Sequence, residues 1–412
     1  MLNIAIIGGG AAGFFAAIEA KRQAHEATVT IFERAKKVLA KVEVSGGGRC
    51  NLTNSFAAVT DLKNVYPRGH RLMKRLFNTF DYQDAYQWFE LRGVPLVVQE
   101  DDCVFPVSQR SQSIVRCLVR EAQTLGVQVL TSHAVEAILP QPDGRLALYF
   151  KGHSPQYFHR VLVAMGGSPR IEGLKYLADI GHRIVPPVPS LFTFNLSDKA
   201  FKHMMGTVIS PVTASISGTK FRAEGALLIT HWGASGPVIL KLSSLAARYI
   251  HEQHYHFPLA MNWIHESNAA RVEEQMTALA AQNGKRKLAT VRPYGLTGRV
   301  WEHLLQRAGM PTDKRWSEIG RKGLHQLIEV LTNDVYDVSG RGSFREEFVT
   351  CGGIDLADVN PRSLESKVCP HLFFAGEVLD IDAVTGGFNL QAAWTTGFVA
   401  GRSMTETFTK DT

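Results

Sequence analysis

An α/β fold with a parallel sheet, assembled from both ends of the chain and interrupted by a β-rich and then helical insertion, is what this sequence predicts. Three observations predict it. The N-terminus is an apolar strand running into a glycine-rich helix start; a second glycine-rich helix start lies near the C-terminus; between them, residues 190–343 change first to short β-branched segments and then to helical apolar stripes.

Residues 4–7 are a short apolar run that suits a buried parallel strand, and Gly8, Gly10 and Gly13 follow in G-x-G-x-x-G spacing. Gly8 makes the tight turn, Gly10 lets the backbone approach a pyrophosphate, and Gly13 lets the helix lie close on the strand. Ala11 and Ala12 occupy the first helical turn, whose N–H groups face such a ligand. Residues 28–32 read as the second strand, and Glu33 closes it, where a carboxylate accepts hydrogen bonds from ribose hydroxyls and repels a 2′-phosphate. Glycines at a helix start can serve close packing alone. The order strand, turn, small-residue helix, strand and acid is what points to a dinucleotide.

The 412 residues suggest two or three domains, and 45% hydrophobic with 20% charged residues is an ordinary globular balance. No stretch approaches a membrane span, and a strand beginning at residue 3 leaves no room for a signal peptide, so a cytoplasmic location is expected. Five widely spaced cysteines without C-x-x-C, and the group His251, His254 and His256 without helical i, i+4 pairing, indicate neither a disulfide framework nor a metal site. Basic residues exceed acidic ones by 7 overall. The excess is concentrated between residues 280 and 322, in Lys285, Arg286, Lys287, Arg292, Arg299, Arg307, Lys314, Arg315, Arg321 and Lys322. Such a window is either a solvated face or a phosphate-backbone footprint.

After Glu33 a loop over residues 36–54 carries Ser45, Gly46, Gly47, Gly48, Arg49, Cys50 and Asn51. Consecutive glycines expose backbone N–H groups to a flat or charged ligand, which makes Ser45, Gly46, Gly47, Arg49 and Asn51 candidate contacts. Residues 70–92 and 108–125 have helical periodicity; 127–130, 134–139, 146–150 and 157–164 read as strands, with Pro142-Asp143-Gly144 as a hairpin turn. Val135, in the second of these, and Gly166, just past the last, are placed against the nucleotide. Pro186, Pro187 and Pro189 mark a domain boundary. The expected division is 1–189 for the first part of the ligand-binding domain, 190–343 for the insertion (190–262 β-rich, 263–335 helical, a return strand to 343) and 344–412 for the second part. That second part opens with a strand from Glu347 to Thr350.

The chain ends with Gly376-Glu377, then Gly387-Phe388-Asn389-Leu390 opening a helix whose Ala393, Gly397 and Gly401 form a small-residue stripe suited to packing on the first helix. A nicotinamide dehydrogenase needs no such return of the C-terminus. The arrangement suits FAD: the ADP end on Gly8–Gly13, a ribityl hydroxyl on Glu377, and the helix start near Gly387 aimed at the flavin N1 and C2 carbonyl.

At these residues the chain resembles the BaiN/RdsA family of FAD-dependent oxidoreductases, over essentially its whole length. The segments 45–54, 376–380 and 386–389 carry the resemblance. Many relatives place Gly-Arg-Lys where this chain has Leu39-Ala40-Lys41, so only Lys41 matches there, and the resemblance makes it a candidate cofactor contact. The resemblance implies an FAD-binding Rossmann-like domain of the two-dinucleotide-binding type, interrupted by a β-barrel-like and helical insertion. It also implies reduction of a carbon–carbon double bond conjugated to a carbonyl, with NAD(P)H as a transient reductant. One similar branch acts on bile-acid intermediates, one makes dihydrouridine in large ribosomal RNA, and one is linked to amine oxidation. With the basic segment 285–322, the favoured partner is ribosomal RNA; a small-molecule enone reductase, an amine oxidase and a non-catalytic flavin-bearing RNA-binding protein are the alternatives. A protein acid or water would protonate the second carbon. Cys50 is the one named candidate for that acid, against a packing role beneath the cofactor.

Overall fold

In the computed structural model, which describes residues 1–342 and 349–406, the first strand Asn3–Ile7 is the middle of a five-stranded parallel sheet. The order is Leu372–Phe374, Arg160–Val163, Asn3–Ile7, Thr28–Phe32, Gln128–Leu130, with Ile4 beside Arg160 on one side and Val29 on the other. Both faces are covered, which is why these strands read as unbroken apolar runs rather than alternating ones. The chain leaves Asn3–Ile7 towards Thr28–Phe32 on one side and returns later on the other. The carboxyl end of the first strand is therefore the switch point at which open α/β sheets bind ligands.

The C-terminal helix Phe388–Glu406 packs directly on the first helix, Ala11–Gln23. A Cβ on Gly397 would lie 2.6 Å from the Ala12 carbonyl oxygen, and one on Gly401 would lie 2.5 Å from that of Ala16. The small-residue stripe is what lets the two backbones touch. Phe15 adds an aromatic cluster across this contact, 5.4 Å from both Phe80 and Trp394 between ring centroids.

Several boundaries differ from those the periodicity suggests. The stretch 70–92 is two helices, His70–Leu76 and Tyr82–Glu90, because Asp81 and Asp84 form a reciprocal cap that starts the second afresh. The apolar run 157–164 belongs to two strands: His153–Phe158 closes an antiparallel sheet with Val135–Pro140 and Leu146–Phe150, and the chain turns at His159 into the parallel strand Arg160–Val163. The prolines lie within a strand, Ile184–Ser190, in a two-stranded sheet with Val349–Ile354, where an extended backbone without every N–H is tolerated.

The described residues fall into two compact units, 1–189 with 349–406, and 190–342. The expected junction at 343/344, and Glu347 at the head of the returning strand, lie outside the described residues. In the second unit six strands close a barrel in the order Phe194–Leu196, Gly233–Ser235, Arg222–Ile229, Val208–Ile216, His256–Asn262, Asp334–Arg341. The helices Pro237–Leu245 and Ala247–Glu252 lie within the stretch expected to be β-rich. Helices Ala269–Gln282, Gly298–Arg307 and Gly320–Thr332 follow, and their apolar stripes share one core with the barrel through Trp263, Trp301, Leu304 and Leu331. The return strand begins at Asp334, inside the expected helical stretch, and ends at Arg341. Among the described residues no helix is long and apolar enough to cross a membrane.

Candidate FAD site

The first unit brings the N- and C-terminal glycine motifs together. Gly8 has φ +111°, and a Cβ there would lie 2.4 Å from the Ala164 carbonyl oxygen; a Cβ on Gly13 would lie 2.0 Å from that of Gly8. These two glycines are required by the fold. Gly10 is different: a Cβ there meets nothing within 4 Å, so the fold itself does not require its lack of a side chain, and the open space above the helix N-terminus suits an anionic ligand. Ala12, in the same turn, is 3.0 Å from where a Cβ on Gly376 would stand, which places the C-terminal Gly-Glu motif beside that helix start.

Glu33 accepts hydrogen bonds from the N–H of Gly9 and of Ala35, both at 2.8 Å. A carboxylate has roughly four acceptor positions, so the fixed Glu33 retains capacity for ribose hydroxyls. It lies on a cavity of about 380 Å³ with Gly8, Arg34, His133, Val135, Met165 and Tyr176. The cavity opens beside the end of the first strand and suits the adenosine part of the ligand. No motif marks Arg34, His133 or Tyr176. Arg34 follows the acid directly, whereas His133 and Tyr176 carry no local signal. Gly166, one residue beyond Met165, has φ +79° with nothing within 4 Å of a Cβ.

The expected loop at 36–54 contains a helix, Ala40–Gly48, that unwinds at Ser45. Gly46, Gly47 and Gly48 then take φ of +57°, +68° and +84°, and Gly47 and Gly48 have no neighbour where a Cβ would stand. Ser45 donates to the Val42 carbonyl at 2.8 Å, and Arg49 lies over the Phe105 ring at 4.3 Å. With its amide oriented to satisfy both neighbours, Asn51 donates to the Thr53 carbonyl (3.0 Å) and accepts from the N–H of Gly387 (3.2 Å). Asn54 donates to the Gly386 carbonyl at 3.1 Å. Gly387 has φ +89°, and a Cβ there would lie 2.2 Å from the Thr53 carbonyl oxygen, so only glycine lets the start of the C-terminal helix lie this close to the loop.

Phe388 points its ring into a cluster with Phe56 and Tyr66, and Tyr66 donates to its carbonyl at 2.8 Å; only its backbone remains for a ligand. Leu390 is half-buried in the same first turn. Asn389 accepts from the N–H of Ala383 and donates to its carbonyl, both at 2.9 Å, which fixes the loop ahead of the helix. Glu377 accepts from the N–H of Thr350 at 2.8 Å and pairs with Lys41 at 3.1 Å. Lys41 is largely exposed, so this pair orients Glu377 more than it stabilises the fold.

Cys50 is corrected as a candidate acid. Its side chain is fully buried, and burial pushes the thiol up to about 12. A group with no exposed surface reaches no substrate. Peptide mapping is expected to find Cys50 unalkylated in the native protein at about pH 8, and Cys50→Ala to keep parental flavin content and reduction kinetics. Loss of reduction at normal flavin content would restore the catalytic assignment. Because the folded value lies above the ordinary 9.0, the thiol's contribution to stability is full below that pH and is lost as pH rises toward 12.

Glu377→Ala is expected to weaken FAD binding about tenfold or more, the scale of hydrogen bonds to a charged group. Asn389→Ala is expected to change the flavin absorption spectrum or reduction rate by releasing the 383–387 loop. Parental flavin content and kinetics in both variants would remove the C-terminal motif from the cofactor site.

A glycine-rich helix start at a sheet switch point, a cavity beside Glu33 and a second helix start tied to a glycine loop are the arrangement an FAD-dependent oxidoreductase requires. The chain belongs to the HI0933-like protein Rossmann-domain family, which matches residues 2–403. It is 27% identical over 418 residues to a 3-dehydro-bile acid delta(4,6)-reductase of Clostridium scindens, covering 98% of this chain and all of the relative. It is 26% identical to a ribosomal RNA dihydrouridine synthase of Haemophilus influenzae, covering 97% of each chain. A solved 3-ketosteroid-delta4-(5alpha)-dehydrogenase of Rhodococcus jostii shares the fold, with a TM-score of 0.51, 15% identity and coverage of 98% and 97%.

Proposed function

We propose that this protein reduces a carbon–carbon double bond conjugated to a carbonyl, with a uridine of ribosomal RNA as substrate and NAD(P)H as electron donor. Bound FAD supplies hydride transfer. The chain's own residues hold the ligand: the first helix start the diphosphate, Glu33 the ribose, Glu377 a ribityl hydroxyl. The N-terminus of Phe388–Glu406 would favour negative charge on a flavin ring held there.

The observation that carries the RNA reading is the gathering of the basic window. Lys287 and Arg315 form a β-bridge, the N–H of Leu288 donates to the Lys314 carbonyl at 2.8 Å, and that of Trp316 to the Arg286 carbonyl at 3.1 Å. Lys285, Arg286, Lys287, Lys314 and Arg315 therefore converge, with all but half-buried Lys314 exposed. Arg307 leaves the window, since it bonds Asp334 at 2.6 and 2.9 Å. The relative named as a dihydrouridine synthase supports the same reading. The small-molecule reading has its own support in the bile-acid reductase at 27% identity.

Purified, FAD-loaded protein given NAD(P)H and ribosomal RNA fragments is expected to add the mass of two hydrogens to one uridine. Binding should weaken with salt, and Lys285→Gln, Arg286→Gln, Lys287→Gln together should lower the log–log slope by about 0.7–0.9 for each phosphate left without its cation. Unmodified RNA with turnover of a small enone would move the assignment to the second reading. An unchanged slope would leave this patch a solvated face.

A further inference from the structure

The FAD-binding unit carries a second group of cations that the cofactor site does not use. Helix His70–Leu76 buries Leu72, Met73 and Leu76, and so turns Arg71, Lys74 and Arg75 outward at i, i+3 and i+4. Asn78 continues that face, and Arg362 joins it from a segment nearly three hundred residues later in the chain. These five residues line an open cleft of about 600 Å³. Arg71, Lys74, Arg75 and Arg362 are all exposed, and none has a carboxylate partner among the described residues. Four cations brought together from two segments without counter-charge repel one another, a cost that a bound polyanion removes. Three are guanidinium groups, whose planar forks match phosphate oxygens.

Position selects among phosphate ligands. The helix is rooted at Arg68 and Gly69, which grip the segment leading to the C-terminal helix start. Arg68 forms a two-pronged ion pair with buried Asp382, and a Cβ on Gly69 would lie 2.6 Å from the Ile381 side chain. Asp382 directly precedes the 383–387 loop against the flavin-ring end of the site. At 1.5 Å per residue, Arg71 to Arg75 lie within about 10 Å of Gly69 along the helix. The cleft is open rather than enclosed, so a chain can cross it.

We propose that this cleft holds backbone phosphates of the RNA flanking the nucleotide presented to the C-terminal motif, an inference that rests on the RNA reading above. Phosphate contacts of this kind position a substrate without reading its sequence.

The test compares FAD-loaded parent protein with a variant carrying Arg71→Gln, Lys74→Gln and Arg75→Gln, and with Arg362→Gln alone. Affinity for a ribosomal RNA fragment is measured across a salt series. The triple variant is expected to lose about 0.7 of log–log slope per neutralised phosphate on single-stranded RNA, roughly two in all, and the single variant less than one. Flavin absorption should match the parent in both, which establishes that they fold. Parent binding with unchanged slope in both variants would overturn the cleft alone. A raised KM for NADPH but not NADH, with RNA affinity unchanged, would give the cleft to the reductant's 2′-phosphate and also overturn it. A parent protein without salt-dependent RNA affinity would overturn this inference together with the RNA reading.

Discussion

Replacing Gly10 by valine is expected to give a folded, colourless protein. Of the three glycines in the first turn, Gly10 alone has nothing within 4 Å of where a Cβ would stand. Its backbone is extended, with φ −93° and ψ −167°, so a branched side chain fits without positive-φ strain. A Cβ there enters open space, and a diphosphate bound at this helix start would meet the isopropyl group. Gly13→Val is the contrast, because a Cβ 2.0 Å from the Gly8 carbonyl oxygen forces the helix off the sheet. Overpacking of that kind costs about 1–3 kcal/mol or more. Gly10→Val should thus lose FAD at near-parental circular dichroism, while Gly13→Val loses stability whether or not FAD is added. A yellow Gly10→Val protein would move the diphosphate away from this helix.

Arg68→Ala is the second large effect expected. Asp382 has no exposed side-chain surface and Arg68 very little, and the pair is bidentate. Removing one partner of a buried pair leaves an uncompensated charge and costs about 3–5 kcal/mol, whereas replacing both by apolar groups of similar volume is often close to neutral. Arg68→Ala should therefore lower the urea midpoint at fixed excess FAD strongly, and Arg68→Met with Asp382→Leu should recover most of it. FAD must be held constant because its binding adds to apparent stability. A single variant within about 0.5 kcal/mol of the parent, the range of ordinary surface substitutions, would show that the pair does not anchor the 381–387 segment.

The parts legible in the sequence are those whose signal is local. The strand–glycine–helix–strand–acid order at residues 4–33 specifies its own geometry, and the small residues at 393, 397 and 401 specify a close helix contact. The barrel, expected only through the family resemblance, is illegible in its own segments for the opposite reason. Its closure pairs Phe194 with Arg341, and nothing in either short segment names the other. The Arg68–Asp382 pair spans 314 residues and looks in sequence like two unrelated charges. Tyr157 and Val161 belong to different sheets because the chain turns at His159, and an apolar run does not record that turn. Cys50 misleads because its loop is rich in ligand-type residues. The positive φ of +63° at Cys50 and the neighbouring glycines turn its side chain inward, and loop composition does not show this.

Whether this flavoprotein reduces one uridine of ribosomal RNA is tested most directly by mass mapping of ribosomal RNA from cells lacking the gene. One nucleotide is expected to lose the mass of two hydrogens relative to the parent strain, and the wild-type gene should restore it, whereas the Gly10→Val gene should not. Ribosomal RNA of identical mass at every position in both strains would contradict the RNA assignment.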